Sequence, residues 1–490
     1  MYFLMNKDTL IAKIQDEGVL SENFTLKEKV SLLTPPGMKN INDWIENRKA
    51  SKHNASLRKI MAECGCETKT GFIKITHAAS LNDTFWIKAE NESLTWRDIS
   101  LYQNEFNETI SRLAFEGVGL QGFQFSETSP ELSTEGSFKK CWRKEEDGIY
   151  LYKRGSEGAH NAGLEPYCEK LASEIAEKLC KNYVSYDLVK FHKELATKCK
   201  LFTDEKYGYV PMARIDIENK SLDTVMKYFE SIGSEDDFRR MLVLDAITFN
   251  IDRHMGNYGV LVDNDNLMPI QMAPVFDLNL SLLPYIEEDE FSYIGNKMLG
   301  YGPRLGDDFT RIGQLALTPE IRKDLINLKD FQFDFEGDQR FTKNRIKFLE
   351  GVINKQIQAI LSKDKLYTKD VFVPEIKMSQ EINNTTDFTE DNIKFLEQLK
   401  LKLENKLDIK CFLVETEDRK LELDIVPKGS EEITFCVDIQ NNIIIKESDS
   451  EISYDLFLLN HENLASVFSK ISKILDRVEE QDIGPENRDR

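Results

Sequence analysis

The stretch from Asp236 to Leu283 constrains this chain more than any other. It begins with "DDFRRMLVLDAITF", a strongly apolar run that reads as a helix. It passes into "NIDRHMGN", where Asp252, Arg253, His254 and Asn257 crowd into one short segment. Two apolar runs follow, "YGVLVD" and "LMPIQMAPVF", which read as strands joined by the turn residues "DNDN". Asp277 comes directly after the second run. So polar a loop between apolar elements is either a solvated turn or a site, and the partners found elsewhere in the chain decide which.

Upstream, residues 1–120 read as mixed and mostly helical. "SLRKIMAECG" and "DISLYQNEFNETISRLAFEG" carry helical spacing, with Gly117 as a stop. "GFIKITHAA" and "DTFWIKA" between them read as short strands. From 120 the pattern turns to strands: "GFQFS", the loop "STEGS", then "FKKCWRKEEDGIYLYKR", where Asp147-Gly148 predicts a hairpin. Strand side chains alternate, so Ile149, Leu151 and Lys153 share one face, and Lys153 points inward if Leu151 does. The loop "GSEGAHNAGL" leads to a helix, "EPYCEKLASEIAEKLCK". Its buried face holds Cys168, Leu171, Ala172, Ile175, Ala176 and Leu179, and Pro166 suits the first turn. Glu169 borders that face, in competition with Glu165 and Glu174 on the same helix.

"YGYVPMARIDI" reads as a strand leading into a linker, and "LTPEIRKDLINL" and "NRIKFLEGVINKQIQAILSK" as later helices. The polar, aperiodic stretch 366–390 reads as a linker. Beyond it, "NIKFLEQLKLKLENKL" and "ENLASVFSKISKILDRV" predict helices, and "CFLVETE" and "ITFCVDI" predict strands. The fold class is therefore α+β. Its expected parts are a mixed region (1–120), a sheet region (121–215), a helical region (216–365), the linker, and a small α+β domain at 391–490.

Bulk properties narrow the setting. A chain of 490 residues, 41% hydrophobic and 30% charged, suits a soluble protein of two or three domains. No apolar run approaches the roughly 18 residues that span a bilayer. The opening "MYFLMNKDTLIAK" lacks the basic lead-in of a signal peptide, so a cytoplasmic location is expected. A net charge of −21 disfavours direct nucleic-acid binding and attachment to anionic membranes. From Val371 to Arg490 there are 15 Lys and Arg against 27 Asp and Glu, so this last quarter carries −12 of that charge. Of the eight cysteines only Cys64 and Cys66 are neighbours, without the second pair or the histidines of a zinc site. Reduced structural thiols are expected.

Phosphoryl transfer from ATP needs few parts: a lysine on phosphate oxygens, a glutamate to position it, oxygen ligands for Mg²⁺, and an aspartate for the acceptor hydroxyl. Asp277 and Asn257 are the right ligand types for Mg²⁺. Asp252, then Asn257, then a hairpin and Asp277 follow the chain order of a kinase catalytic core. Lys153 on a strand and Glu169 on the next helix supply the expected ion pair upstream.

"NIDRHMGNYGVL" and "PVFDLNLS" resemble the HipA-like serine/threonine kinases, and the D-R-H-x-x-N core also looks like that of phosphoinositide-kinase relatives. "STEGSFKK" resembles the phosphate-loop segment of HipA-like proteins, S-x-x-G-x-x-x-K. The resemblance covers residues 120–365, with residues 1–120 read as a variant of the same family and part of the small lobe, and implies a two-lobed protein-kinase-like fold with ATP between the lobes. By position it implies Asp252 as the catalytic aspartate and Asn257 and Asp277 as Mg²⁺ ligands. It sets Lys153 on the nucleotide phosphates with Glu169 as partner, Gly136 and Ser137 in the phosphate loop, and Met212, Ala213 and Arg214 at the adenine hinge. Ser133 falls where such kinases carry an autophosphorylated serine. The resemblance further implies a protein substrate, toxin-like growth regulation in a bacterium and an antitoxin-like partner. "DLN" replaces the Asp-Phe-Gly of ordinary protein kinases, and His254 either assists proton transfer or buttresses its loop. Two other readings share these motifs: a lipid or small-molecule kinase, and a pseudokinase that binds nucleotide and regulates through the acidic C-terminal domain.

Overall fold

The computed structural model describes residues 1–18, 23–50, 55–117, 128–158, 162–293, 302–306 and 308–362, and five strands between residues 409 and 452. It is a mixed α and β protein whose sheets are antiparallel. The chain divides into two compact units: Met1–Phe291 with Gly302–Tyr367, and Ser292–Tyr301 with Thr368–Arg490.

The N-terminal region is built on a sheet, where the sequence led us to expect mostly helix. Strands β1 (Tyr2–Asn6), β2 (Thr9–Asp16) and β3 (Phe24–Lys29) pair with β4 (Phe85–Ala89) in the order β3-β2-β1-β4. Leu4, Ile14, Phe24 and Phe85 close a core with Trp44, Leu57 and Phe72 from helices α1 (Ile41–Glu46), α2 (Ala55–Glu63) and α3 (Lys69–Thr76). Helix α3 covers most of "GFIKITHAA", expected as a strand. Thr68 caps it by accepting from the Gly71 N–H, and Phe72, Ile73 and Thr76 turn one face to the core. Burial on a helical face and a good cap override the β preference of isoleucine and threonine. The second helical run divides into α4 (Trp96–Ile99) and α5 (Glu108–Glu116), with Asn107 capping α5 and Gly117 (φ +72°) ending it.

A second sheet carries the lysine strand. It is formed by β5 (Lys140–Glu145) and β6 (Gly148–Arg154), joined at the expected hairpin, with β7 (Asp187–Phe191) and β8 (Glu194–Lys200), in the order β5-β6-β8-β7. Helix α6 (Glu165–Leu179) packs on β6, β7 and β8 through the apolar face read from its spacing. Strands β7 and β8, only five and seven residues long, were not among those read from the sequence.

A third sheet, β11-β10-β9, contains β9 (Tyr207–Pro211), β10 (Gly259–Asp263) and β11 (Pro269–Met272). Beside it lie α7 (Leu222–Ser231), α8 (Glu235–Thr248), α9 (Phe309–Ala316), α10 (Pro319–Asn327) and α11 (Lys343–Leu361). Helix α8 is buried on every side from Met241 to Thr248 and packs against α6, α7, α9 and α11, as expected of a helix apolar all round.

In the second unit, β12 (Ile409–Glu415), β13 (Leu421–Pro427), β14 (Ile433–Asp438), β15 (Ile443–Glu447) and β16 (Ser450–Ile452) pair in chain order as a meander. The two strands expected there belong to this sheet. The expected "GFQFS" strand, the 366–390 linker and the two C-terminal helices lie outside the described residues. Among the described residues, no helix is long and apolar enough to cross a membrane. Cys64, Cys66, Cys141, Cys168, Cys180 and Cys199 are free thiols.

Candidate functional site

A cleft of about 320 Å³ gathers side chains from distant parts of the first unit. Its walls are the loop Ser80–Asn82, the segment Ser133–Phe138, the inward faces of β5 and β6, Val184 and Tyr186, Cys199–Thr203, and the polar segment with Asp252, His254, Asn257, Asp277 and Asn279.

Lys153 stands at its centre. Strand alternation turns it inward with Leu151, and both line the cleft. Its Nζ donates to Glu169 Oε1 at 2.5 Å and to Asp277 Oδ1 at 2.8 Å. Glu169 is fully buried on α6, and its other oxygen accepts from Thr197 Oγ1 at 2.7 Å. The competing glutamates are engaged elsewhere: Glu165 accepts from Tyr285 and the Ser156 N–H, and Glu174 pairs with Lys170. Burial works against the charge on Lys153, but Asp277 and Glu169 raise its pKa above the ordinary lysine value. Burial likewise opposes charge on Asp277, yet the ammonium of Lys153 carries its carboxyl down to about 2. Burial pushes Glu169 up, and Lys153 acts against that push.

A second lysine faces the first. Lys140 sits directly opposite Lys153 in the β5–β6 register, and burial followed by repulsion from Lys153 lowers its pKa to about 8. Its Nζ donates to the Glu135 carbonyl at 2.6 Å, which closes the Ser133–Phe138 segment into a loop. Gly136 is in the left-handed region (φ +100°), where a Cβ would strike the Lys140 ammonium. Lys140 ends the S-x-x-G-x-x-x-K pattern, which was the signal available for it in the sequence.

The loop is anchored from below. Glu131 is buried and accepts from Ser111 Oγ at 2.8 Å, from the Trp142 N–H at 2.8 Å and from Ser129 Oγ, while burial raises its pKa. Ser133 is buried, and its hydroxyl donates to the Pro130 carbonyl at 3.3 Å. Ser137 lines the cleft.

The polar segment is held by a residue to which sequence reasoning gave no role. Arg253, 2% exposed, bonds Asp245 on α8 through Nε at 2.9 Å and Nη2 at 3.0 Å. Its Nη1 reaches the carbonyls of Asn257 at 2.8 Å and Phe276 at 2.6 Å. One guanidinium thus ties the helix, the loop and the residue before Asp277 together. Burial disfavours its charge, but Asp245 lifts its pKa above the ordinary arginine value. Asn257 donates through Nδ2 to the Asp252 carbonyl at 3.1 Å, a bond that leaves its Oδ1 uninvolved. Asp252 pairs through Oδ1 with Arg304 Nη2 at 2.8 Å. His254 lies at the cleft rim, and its Nδ1 accepts from the Gly256 N–H at 3.0 Å.

The expected hinge is not in the cleft wall. Met212 is fully buried, its N–H bonds the Tyr258 carbonyl and that of Ala213 bonds Met255, and both carbonyls accept from Lys220 Nζ. Arg214 reaches Glu135 and the Asn47 carbonyl. The segment that lines the cleft is Leu201–Thr203, which follows β8. The connection leaving the second sheet begins one strand earlier than the sequence suggested, because β8 itself was not legible.

Magnesium binds through one or two carboxylates, neutral oxygens and substrate phosphates, without needing a dense protein cage. Among the described residues no group of three or more His, Cys, Asp or Glu could hold a metal. Asp277 and Asn257 offer oxygen donors of the required kind, and Asp277 Oδ2 has no hydrogen-bond partner among the described residues.

No protein-family model and no curated protein matches this chain. Two similar solved structures are distant. The Helicobacter pylori proinflammatory kinase CtkA is 17% identical with a TM-score of 0.35, over 46% of this chain and 91% of that one. HipA from a Shewanella oneidensis MR-1 toxin–antitoxin system, solved with HipB and operator DNA, is 12% identical with a TM-score of 0.42, over 76% of this chain and 99% of that one.

Proposed function

We propose that this chain is an ATP- and Mg²⁺-dependent kinase that transfers a γ-phosphoryl group to a serine or threonine hydroxyl of a protein. The observation that carries the reading is Lys153, held between Glu169 and Asp277 in a cleft that also receives Asp252 and Asn257. A buried lysine fixed by two carboxylates has little purpose in stability, since a hydrophobic side chain would serve the core as well. It suits a site where phosphate oxygens exchange for one of those carboxylates.

In this reading Lys153 and Lys140 bind phosphate oxygens, and Glu169, fixed by Thr197, keeps the Lys153 ammonium in register. Asn257 Oδ1 and Asp277 would hold Mg²⁺, which when bound neutralises charge developing on the transferred phosphoryl group. The backbone of Leu201–Thr203, which lines the cleft, would read the adenine edge. Asp252 orients the acceptor hydroxyl and takes up its proton. The Arg304 side chain is 58% exposed, so its pair with Asp252 is a weak surface contact that an incoming hydroxyl displaces. The protein acceptor is inferred from the resemblance of the two quoted motifs, and labelled ATP offered with candidate proteins would identify it.

The test is phosphate mapping by mass spectrometry after incubation with Mg·ATP, on the unmutated chain, Asp252→Ala and Asp277→Ala. Phosphate is expected on the loop around Ser133 or on an added protein in the unmutated chain, falling at least about 100-fold in both variants. Equal labelling of all three overturns the assignment.

A further inference from the structure

Asp277 occupies a backbone conformation that a non-glycine residue adopts at a cost, with φ at +55°. The segment leaving the C-terminal end of α6 lies alongside it. The Val184 N–H donates to the Val275 carbonyl at 2.9 Å, and the Val275 N–H donates to the Asn182 carbonyl at 3.0 Å. These bonds form a parallel bridge between Tyr183 and Val275. Further along, a side chain makes the contact: the Asp277 N–H donates to the phenol oxygen of Tyr186 at 3.0 Å. Tyr186 is 4% exposed and its ring is part of the cleft wall.

The other half of the same peptide unit is also held. The Phe276 carbonyl accepts from Arg253 Nη1 at 2.6 Å. In a trans peptide the C=O and N–H point to opposite sides of the chain, so bonds to both fix the plane of the 276–277 peptide. That plane sets φ of Asp277, and φ directs its carboxylate toward Lys153. Arg253 is bound up with the whole loop, but Tyr186 contributes one oxygen whose loss changes little else.

We infer that Tyr186 is a positioning residue: with Arg253 it clamps the 276–277 peptide and so holds Asp277 in its metal-binding conformation. This rests on the proposed reading of Asp277 as a Mg²⁺ ligand. It links the glutamate helix to the metal site mechanically, since the chain that ends α6 supplies the clamp. Removal of the hydroxyl leaves the Asp277 N–H without its acceptor, frees the peptide to rotate and lets φ relax toward ordinary values.

The test compares the full chain, Tyr186→Phe and Tyr167→Phe. Tyr167 is a control, a comparably buried tyrosine that loses the hydroxyl donated to Asp338 at 2.5 Å, away from the cleft. Binding of a non-hydrolysable ATP analogue is measured by calorimetry in EDTA and across a Mg²⁺ titration, beside thermal melts. In EDTA all three are expected to bind alike within about twofold, and only Tyr186→Phe needs about five- to tenfold more Mg²⁺ for half-maximal enhancement, the scale of one lost hydrogen bond. Equal weakening with and without Mg²⁺, or a titration like that of the unmutated chain, overturns the role of Tyr186 and leaves the kinase reading standing. An unmutated chain whose nucleotide binding ignores Mg²⁺ overturns that reading and this inference together. Hydrogen exchange on the unmutated chain supplies a check independent of any variant: the Asp277 amide is expected to be protected, and rapid exchange there overturns the clamp.

Discussion

Lys140 and Lys153 show how neighbouring side chains of one type are driven apart. Both are buried on facing strands, but Lys153 has two carboxylates and Lys140 has a backbone carbonyl. Lys140, with a pKa lowered to about 8, is charged below that pH and neutral above it. Phosphate affinity is therefore expected to fall as pH rises through about 8, by up to about tenfold between pH 7.5 and 9. Lys140→Arg, which stays charged, should flatten that profile in a nucleotide-binding titration. Stability has the opposite sign. The folded pKa lies below the unfolded value of 10.5, so the unfolded chain binds more protons and the fold gains stability as pH rises from about 8 to 10.5. Lys140→Met should remove that gain, read as the difference in melting temperature between the two chains across the same range. Lys153 was legible because alternation from Leu151 gave its direction. The lowered pKa of Lys140 was not, since it depends first on burial and then on Lys153 facing it across the hairpin.

At the scale of elements, the polar segment is a loop hung from α8 by one buried ion pair. Asp245 is 4% exposed and Arg253 2%, so removing one partner leaves an uncompensated buried charge. Asp245→Ala is expected to cost about 3–5 kcal/mol in denaturant unfolding. The Ser133–Phe138 loop has a different vulnerability. Gly136→Ala should strain φ and push Lys140 aside, weakening nucleotide binding by about tenfold while unfolding changes by only about 1 kcal/mol. A large loss of stability with unchanged affinity would mean that the loop serves the fold. The order helix, polar loop, hairpin, Asp277 could be read because each part has a strong local signal. In the N-terminal sheet only β4 was read, from "DTFWIKA"; β1–β3 and strands β7 and β8 were not, because such short strands take their stability from neighbours distant in sequence. That Leu201–Thr203 rather than Met212–Arg214 lines the cleft went unread for the same reason, since β8 precedes it.

In the whole molecule, every residue lining the cleft lies between Ser80 and Asn279, and all belong to the first compact unit. The N-terminal region is part of that cleft. Arg48 is buried and bonds Asp83 at 2.7 and 3.0 Å and the Ala78 carbonyl at 2.5 Å, fixing the loop that presents Ser80–Asn82. The Asn82 carbonyl in turn accepts from the Tyr209 N–H at 2.7 Å. A chain ending at Tyr367 is expected to unfold cooperatively and to bind Mg·ATP within about threefold of the full chain, as differential scanning calorimetry and nucleotide titration would show. Loss of the cooperative transition would mean that the second unit completes the first.

The sequence by itself determined the α+β class, the lysine hairpin, the glutamate helix and the order Asp252, Asn257, Asp277. Those follow from local rules of alternation, helical spacing and turn chemistry, which act over a few residues. Only the tertiary structure decided that Glu169, not Glu165 or Glu174, meets Lys153, that Lys140 faces it, and that Arg253 and Tyr186 grip the two sides of the peptide before Asp277. Those contacts join residues up to 91 positions apart, as Tyr186 and Asp277 are. Packing alone chooses among such partners, because residue type permits several and burial leaves room for one.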